Sequence, residues 1–153
     1  MRRRLEKVVS VLTDIDFLPF LIDKNLARKA MEVTRQGDAR EKYYGIYLWI
    51  TQNIYHEKAE GYRNSLEVFY ERKGVCGEQA YLFIAMARAM GLEAHYASVF
   101  VDHKGKKVSH ACIAIDSMLV DTSYGLFPVR HKVYKILTDL EVGENYRRWR
   151  FGE

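Results

Sequence analysis

Three observations predict an α+β fold. Helical periodicity fills the chain up to Gly91, and an alternation of period two replaces it straight afterwards. The last helix before the change is apolar on nearly every side, so it belongs in the middle of the fold. Helices gathered ahead of an antiparallel meander indicate α+β, not a doubly wound parallel sheet.

The elements follow in order. Leu5, Val8, Val9 and Leu12 recur at helical spacing, which predicts a short amphipathic helix over residues 3 to 12. Asp16 to Ile22, with Pro19 inside it, is apolar and reads as a packed connection. Asp23 suits an N-cap for a helix to Arg35, with Leu26, Ala30, Met31 and Thr34 inward. Gly37 suits the left-handed position after a helix. Asp38 and Glu41 have capping-box spacing and open a helix to about Ile54. Its apolar residues are Tyr43, Ile46, Tyr47, Leu48, Ile50 and Ile54. His56 to Arg63 is polar and reads as a loop. Asn64 and Glu67 repeat the box and start a short helix through Tyr70, which Arg72-Lys73-Gly74 breaks.

The central helix is expected to begin at Cys76 and end at Gly91, and Arg88 is the one charge between Ala80 and Met90. Ala94 to Val101 is rich in Tyr, Val and Phe and reads as a strand. Residues 102 to 106 turn, Lys107 to Asp116 returns, and Met118 to Thr122 makes a third strand. Beyond Pro128 only a strand or helix over Val133 to Leu140 and a polar, aromatic tail are legible.

A length of 153 residues, 48% of them hydrophobic and 29% charged, suits one ordinary globular domain. Two cysteines are too few for a disulfide scaffold, and no CxxC or HExxH pattern occurs, so no metal or cofactor is expected. The apolar run Val8 to Leu12 is shorter than the ~7–15 residues of a signal-peptide core. No stretch reaches the ~20 apolar residues of a membrane helix. The expectation is a cytoplasmic protein with no membrane partner. Net charge is +4, with Arg2, Arg3 and Arg4 at one end and Arg147, Arg148 and Arg150 at the other. With no nucleic-acid motif beside them, these clusters read as solvated surface, not a nucleic-acid interface.

Cys76 would occupy the first turn of the central helix, where unpaired N–H groups and the helix dipole favour a thiolate. A small packed thiol is the alternative. A nucleophile needs a base. Among the five histidines, His110 lies in an apolar strand, with Val108, Cys112 and Ala114 on the same face. It is either a satisfied core histidine or that base. Asp121 ends the next apolar strand, where it is either a turn residue or the group that orients His110.

These stretches resemble a known family. GVCGEQAYLFIAMARAMGLEAHYASVF is similar to the cysteine motif of the transglutaminase-like superfamily, SHACIAID to its histidine strand and MLVDTSYG to its aspartate strand. They occur in the family's order, with Cys76, His110 and Asp121 separated by 34 and 11 residues. ITQNIYHE is similar to the helix end upstream of the family's variable loop. The resemblance covers roughly residues 42 to 127 and implies a papain-like core, flanked by a helical extension over 1–41 and a C-terminal extension over 128–153. It implies Cys76 as nucleophile, His110 as base and Asp121 as orienting residue, acting on a peptide or protein amide through an acyl thioester. Hydrolysis is favoured over crosslinking. The Cys76 N–H would serve the oxyanion, with a second donor sought among Trp49, Gln52 and Tyr55. Glu78 would complement the helix dipole. Two positions depart from the family's pattern, Cys112 where a tryptophan is common and Thr122 where a proline is. The competing readings are a non-catalytic binding module that keeps the triad, an enzyme resembling the arylamine acetyltransferases, and nucleic-acid binding by the basic ends.

Overall fold

Local capping determines where the first helices start. In the computed structural model, which describes residues 18–59 and 61–152, helix α1 (Lys24–Val33) begins at Asp23, whose carboxylate accepts the Leu26 N–H at 2.8 Å. Helix α2 (Ala39–Asn53) opens on the expected box, with the Glu41 N–H given to Asp38 at 3.0 Å and the Asp38 N–H to Glu41. Helix α3 (Ser65–Glu71) repeats it with Asn64 and Glu67. Each box satisfies N–H groups that the helix itself leaves orphaned. The helix predicted over residues 3 to 12 lies outside the described residues.

Leu26, Ala30 and Thr34 are buried on α1 and its cap, as their spacing requires. Met31 is not: it is 60% exposed. Leu26, Ala30 and Thr34 follow an i, i+4 stripe, and Met31 is about 100° further round the helix. Helix α1 stops at Val33, two residues short of the expected Arg35, and Gly37 turns with φ +97 beyond it. Gly45 lets α2 meet the end of α1, because a Cβ there would stand 2.0 Å from the Val33 carbonyl oxygen.

Helix α4 (Cys76–Ala89) is buried without interruption from Gly77 to Ala87. The three earlier helices and the sheet surround it. Tyr81 alone meets the rings of Phe20, Tyr62, Tyr96 and Tyr146, with centroids 5.7 to 5.8 Å apart. The Phe20 contact and the bond from Ser65 N–H to the Pro19 carbonyl (2.8 Å) show that the Pro19 segment packs as expected. Arg88, the lone charge, reaches both Asp139 oxygens (2.6 and 2.9 Å) and the Ala94 carbonyl (2.9 Å), so it fastens the far end of the helix.

The sheet consists of β1 (His95–Val101), β2 (Lys107–Ile115), β3 (Met118–Asp121), β4 (Leu126–Val129) and β5 (Val133–Ile136), antiparallel throughout in the order β4-β3-β2-β1-β5. Strands β1 to β3 match the expected meander, and β4 and β5 extend it on either side. The tail is helix α5 (Asp139–Phe151), capped by Thr138 and Glu141, with Val142, Gly143 and Tyr146 buried. Arg150 donates to the Tyr62 carbonyl at 2.9 Å and pairs with Glu67, so part of the basic C-terminal cluster folds back onto the core. No described helix is long and apolar enough to cross a membrane.

Candidate active site

The tip of α4 is held by charge, not by its N-cap side chain, since Val75 has none to offer. Glu78, 1% exposed, accepts the Val75 N–H at 2.9 Å, the Arg63 N–H, and the Arg63 guanidinium at 3.0 Å. Arg63 also reaches the Glu57 carbonyl (2.8 Å) and Glu71 (3.1 Å). The end of the polar loop is therefore buried and fixed against the cysteine turn. Cys76 is half-buried at the first helical position.

Gln79 ties this turn to the sheet. Its amide donates to the Gly74 carbonyl, and its oxygen accepts the Thr122 hydroxyl, both at 2.8 Å. Thr122, the residue that stands where a proline is common, thus bonds the cysteine helix directly.

Strand register brings the histidine and aspartate together. Ile113 pairs with Val120 and Ala114 with Leu119, so one further step sets Asp121 opposite Cys112 and diagonal to His110 on the same face. His110 Nε2 lies 2.7 Å from Asp121 Oδ2. Cys76 interacts with the same ring and is one of the groups that raise its pKa. Asp121 takes Nε2, so a second partner of the ring would meet it at Nδ1. The ring also stacks on Tyr124, with centroids 4.4 Å apart, and the Tyr124 hydroxyl donates to Asp102 at 3.1 Å. Val108, Cys112 and Ala114 join a small apolar cluster with Ala97, Val99 and Leu119.

The electrostatics follow from these contacts. Burial disfavours a charged His110, but the bonds to Asp121 and Cys76 and the field of both outweigh it and raise its pKa to about 9. Burial pushes the Asp121 carboxyl up, yet His110, the Tyr124 N–H and His131 together hold it below the usual range. Burial pushes the Cys112 thiol up, away from a reactive form.

Nothing in the sequence singles out His131, whose chain neighbours Arg130 and Lys132 are charged. Its Nε2 lies 2.7 Å from the same Asp121 Oδ2, and its side chain is fully buried. Its Nδ1 accepts the His103 N–H at 3.0 Å. Tyr62 was missed too: its hydroxyl lies against Gly77, where a Cβ would stand 2.4 Å from it. Trp49, Gln52 and Tyr55 have other contacts, and the Tyr55 backbone pairs with Arg72 and Gly74 just ahead of Cys76. Trp49 packs on Phe69 under Arg72, Gln52 is exposed, and Tyr55 is 74% exposed beside Lys73. Among the described residues, none of the three shares a hydrogen bond or ring contact with Cys76, His110 or Asp121.

His110, Asp121 and His131 offer donor atoms within 4.8 Å of one another, a metal-ligand type of cluster. His131 is in the wrong tautomer for a ligand, however. Its Nδ1 accepts a backbone N–H, so its Nε2 carries the proton and has no lone pair to give. The three form a hydrogen-bonded row. A cavity of about 600 Å³ opens beside it, lined by Asp102, His103, Lys104, Lys106, Tyr124 and Leu126.

Comparison with known proteins bears on this geometry. A family model described as the transglutaminase-like superfamily matches residues 24–135. None of the curated proteins compared matches the chain. A solved structure from Cytophaga hutchinsonii, titled a "Putative Cysteine Protease", is similar with a TM-score of 0.56 at 22% identity. The match covers 80% of this chain and 51% of that one, so the chain spans about half its length. A structure from Parabacteroides distasonis, titled a "Putative Protease", is similar over 71% of this chain and 27% of its own, at 14% identity and a TM-score of 0.47. The first likeness shows a shared fold, in keeping with the expected papain-like, transglutaminase-like core.

Proposed function

The chain belongs to the transglutaminase-like superfamily, and on that premise we propose that it is a cysteine-dependent amide hydrolase working through an acyl thioester. The observation that carries this is the hydrogen bond of His110 Nε2 to buried Asp121, on a ring whose pKa Cys76 also helps to raise. The Cys76 proton passes to His110 before attack, since the contacts of that ring favour its protonated form, and the sulfur then adds to the carbonyl carbon of a peptide or protein amide. His110 returns that proton to the departing amine as the C–N bond breaks. Water then adds to the thioester, with His110 taking its proton, and the thiol leaves with a carboxylic acid as product. Water is preferred to an amine as acceptor because the solved structure sharing the fold is titled a protease.

The oxyanion of each tetrahedral intermediate needs two donors. The Cys76 N–H, free at the helix start, is one. For the second we favour the Tyr62 hydroxyl over Trp49, Gln52 and Tyr55, because that hydroxyl lies against Gly77 in the cysteine turn.

The test is alkylation by iodoacetamide near pH 7, mapped by mass spectrometry. Cys76 should react more than ~10-fold faster than an ordinary free thiol, and His110→Ala should bring it down to that ordinary rate. A Cys76 no more reactive than an ordinary free thiol overturns the reading.

A further inference from the structure

Asp121 has no solvent exposure and accepts three hydrogen bonds: Tyr124 N–H on Oδ1 at 2.8 Å, and His110 and His131 on Oδ2 at 2.7 Å each. A buried carboxylate stays ionised only if its lone pairs are satisfied. The Tyr124 bond holds one oxygen. The other is shared by two rings of unequal freedom. His110 must change its protonation state in any proton transfer with Cys76. His131 is not free to do so in the same way, because the His103 N–H occupies its Nδ1 and fixes the proton on Nε2. Its side chain is fully buried, so it has no contact with a substrate.

We propose that His131 is a positioning residue: a tautomer-locked, neutral N–H donor that keeps Asp121 ionised and turned toward His110. The proposal rests on the triad reading above. Without the His131 donor, the buried carboxylate loses part of what stabilises its charge. The proton it shares with His110 then moves toward Asp121, and the imidazolium that faces the thiolate is weakened. The titratable groups around His110 are Cys76 from α4, Asp121 from β3, Tyr124 from the β3–β4 turn and His131 from the segment after β4. Asp102 and His103, from the β1–β2 turn, stand behind Tyr124 and His131. Among these, His131 is the one whose loss removes a donor from Asp121 without removing a member of the triad.

The test is the rate of Cys76 alkylation by iodoacetamide across pH 5 to 9 in the intact protein, for wild type, His131→Leu, His131→Gln and His110→Ala. Leucine removes the donor, whereas the glutamine amide reaches the same oxygen. His131→Leu should slow alkylation at pH 6 by roughly tenfold and move the profile to higher pH, and His131→Gln should stay within about threefold of wild type. A wild-type profile in His131→Leu, or equal loss in both variants, overturns the proposal. Nitrogen NMR of His131 in the wild-type protein tests it without any variant: the Nε2–H tautomer is expected, and an Nδ1–H tautomer or an imidazolium overturns it. A wild-type thiol no more reactive than that of His110→Ala overturns the triad itself. A reactive wild-type thiol indifferent to His131→Leu overturns the present proposal alone.

Discussion

Glu78 and Asp121 are both buried carboxylates near Cys76, and their partners differ in kind. Glu78 is satisfied by two backbone N–H groups and by Arg63, a cation that keeps its proton at any working pH. Asp121 is satisfied by one backbone N–H and two imidazoles, and the His110 imidazole, unlike a guanidinium, can give up its proton. The first arrangement can only hold the helix tip in place. The second can hold a ring and also respond to its charge. Burial alone therefore says little about chemistry; the identity of the donor decides it.

Exchanging each carboxylate for its amide should separate the two roles. The largest effect is expected from Asp121→Asn, which keeps the shape but removes the charge that supports His110 and sets an NH2 against one of the N–H donors on Oδ1 or Oδ2. Turnover of any accepted amide substrate should fall by roughly 10³–10⁴-fold. Retention of more than a tenth of the activity would erase the distinction. Next comes Glu78→Gln, which leaves buried Arg63 only the half-exposed Glu71 as counter-charge and should cost about 3 kcal/mol of stability, the low end for a broken buried pair. Thermal or denaturant unfolding measures this, and Cys76 alkylation in the folded protein should stay close to wild type. If reactivity is lost while stability is kept, Glu78 belongs with the chemistry. The smallest effect is expected from Tyr62→Phe, which touches neither carboxylate's hydrogen bonds. It should lower turnover by roughly 10²-fold and leave thiol alkylation unchanged. A parallel fall in both would place Tyr62 in activating the thiol instead.

What the sequence disclosed follows from how local each cause is. The boxes at Asp38 and Asn64 close within three residues, so their pattern is visible without a fold. The nearness of His110 to Asp121 is legible because two adjacent short-turned strands have little choice of register. His131 is not. Its neighbours Arg130 and Lys132 are charged, and it is buried because a distant carboxylate and the His103 N–H receive it. No local pattern announces that. Helix α5 was readable in part: Thr138 and Glu141 have the same box spacing as the other two. Its buried face is only Val142, Gly143 and Tyr146 among many polar residues, which hides the helical period. Met31 shows the opposite error, an apolar residue assigned inward that its helical angle turns outward.

Gly77 limits which sequences this site can accept. The hydroxyls of Tyr62 and Tyr96 lie 2.4 and 2.8 Å from where its Cβ would be, and both belong to stiff aromatic side chains set in the core. On the proposed mechanism positions 76 and 77 are therefore both intolerant of change, one for its sulfur and the other for its empty space. A survey of tolerated substitutions would show an invariant pair, and the chemistry would explain only its first member. Directed evolution of a new specificity has to leave this dipeptide alone and work through the walls around it.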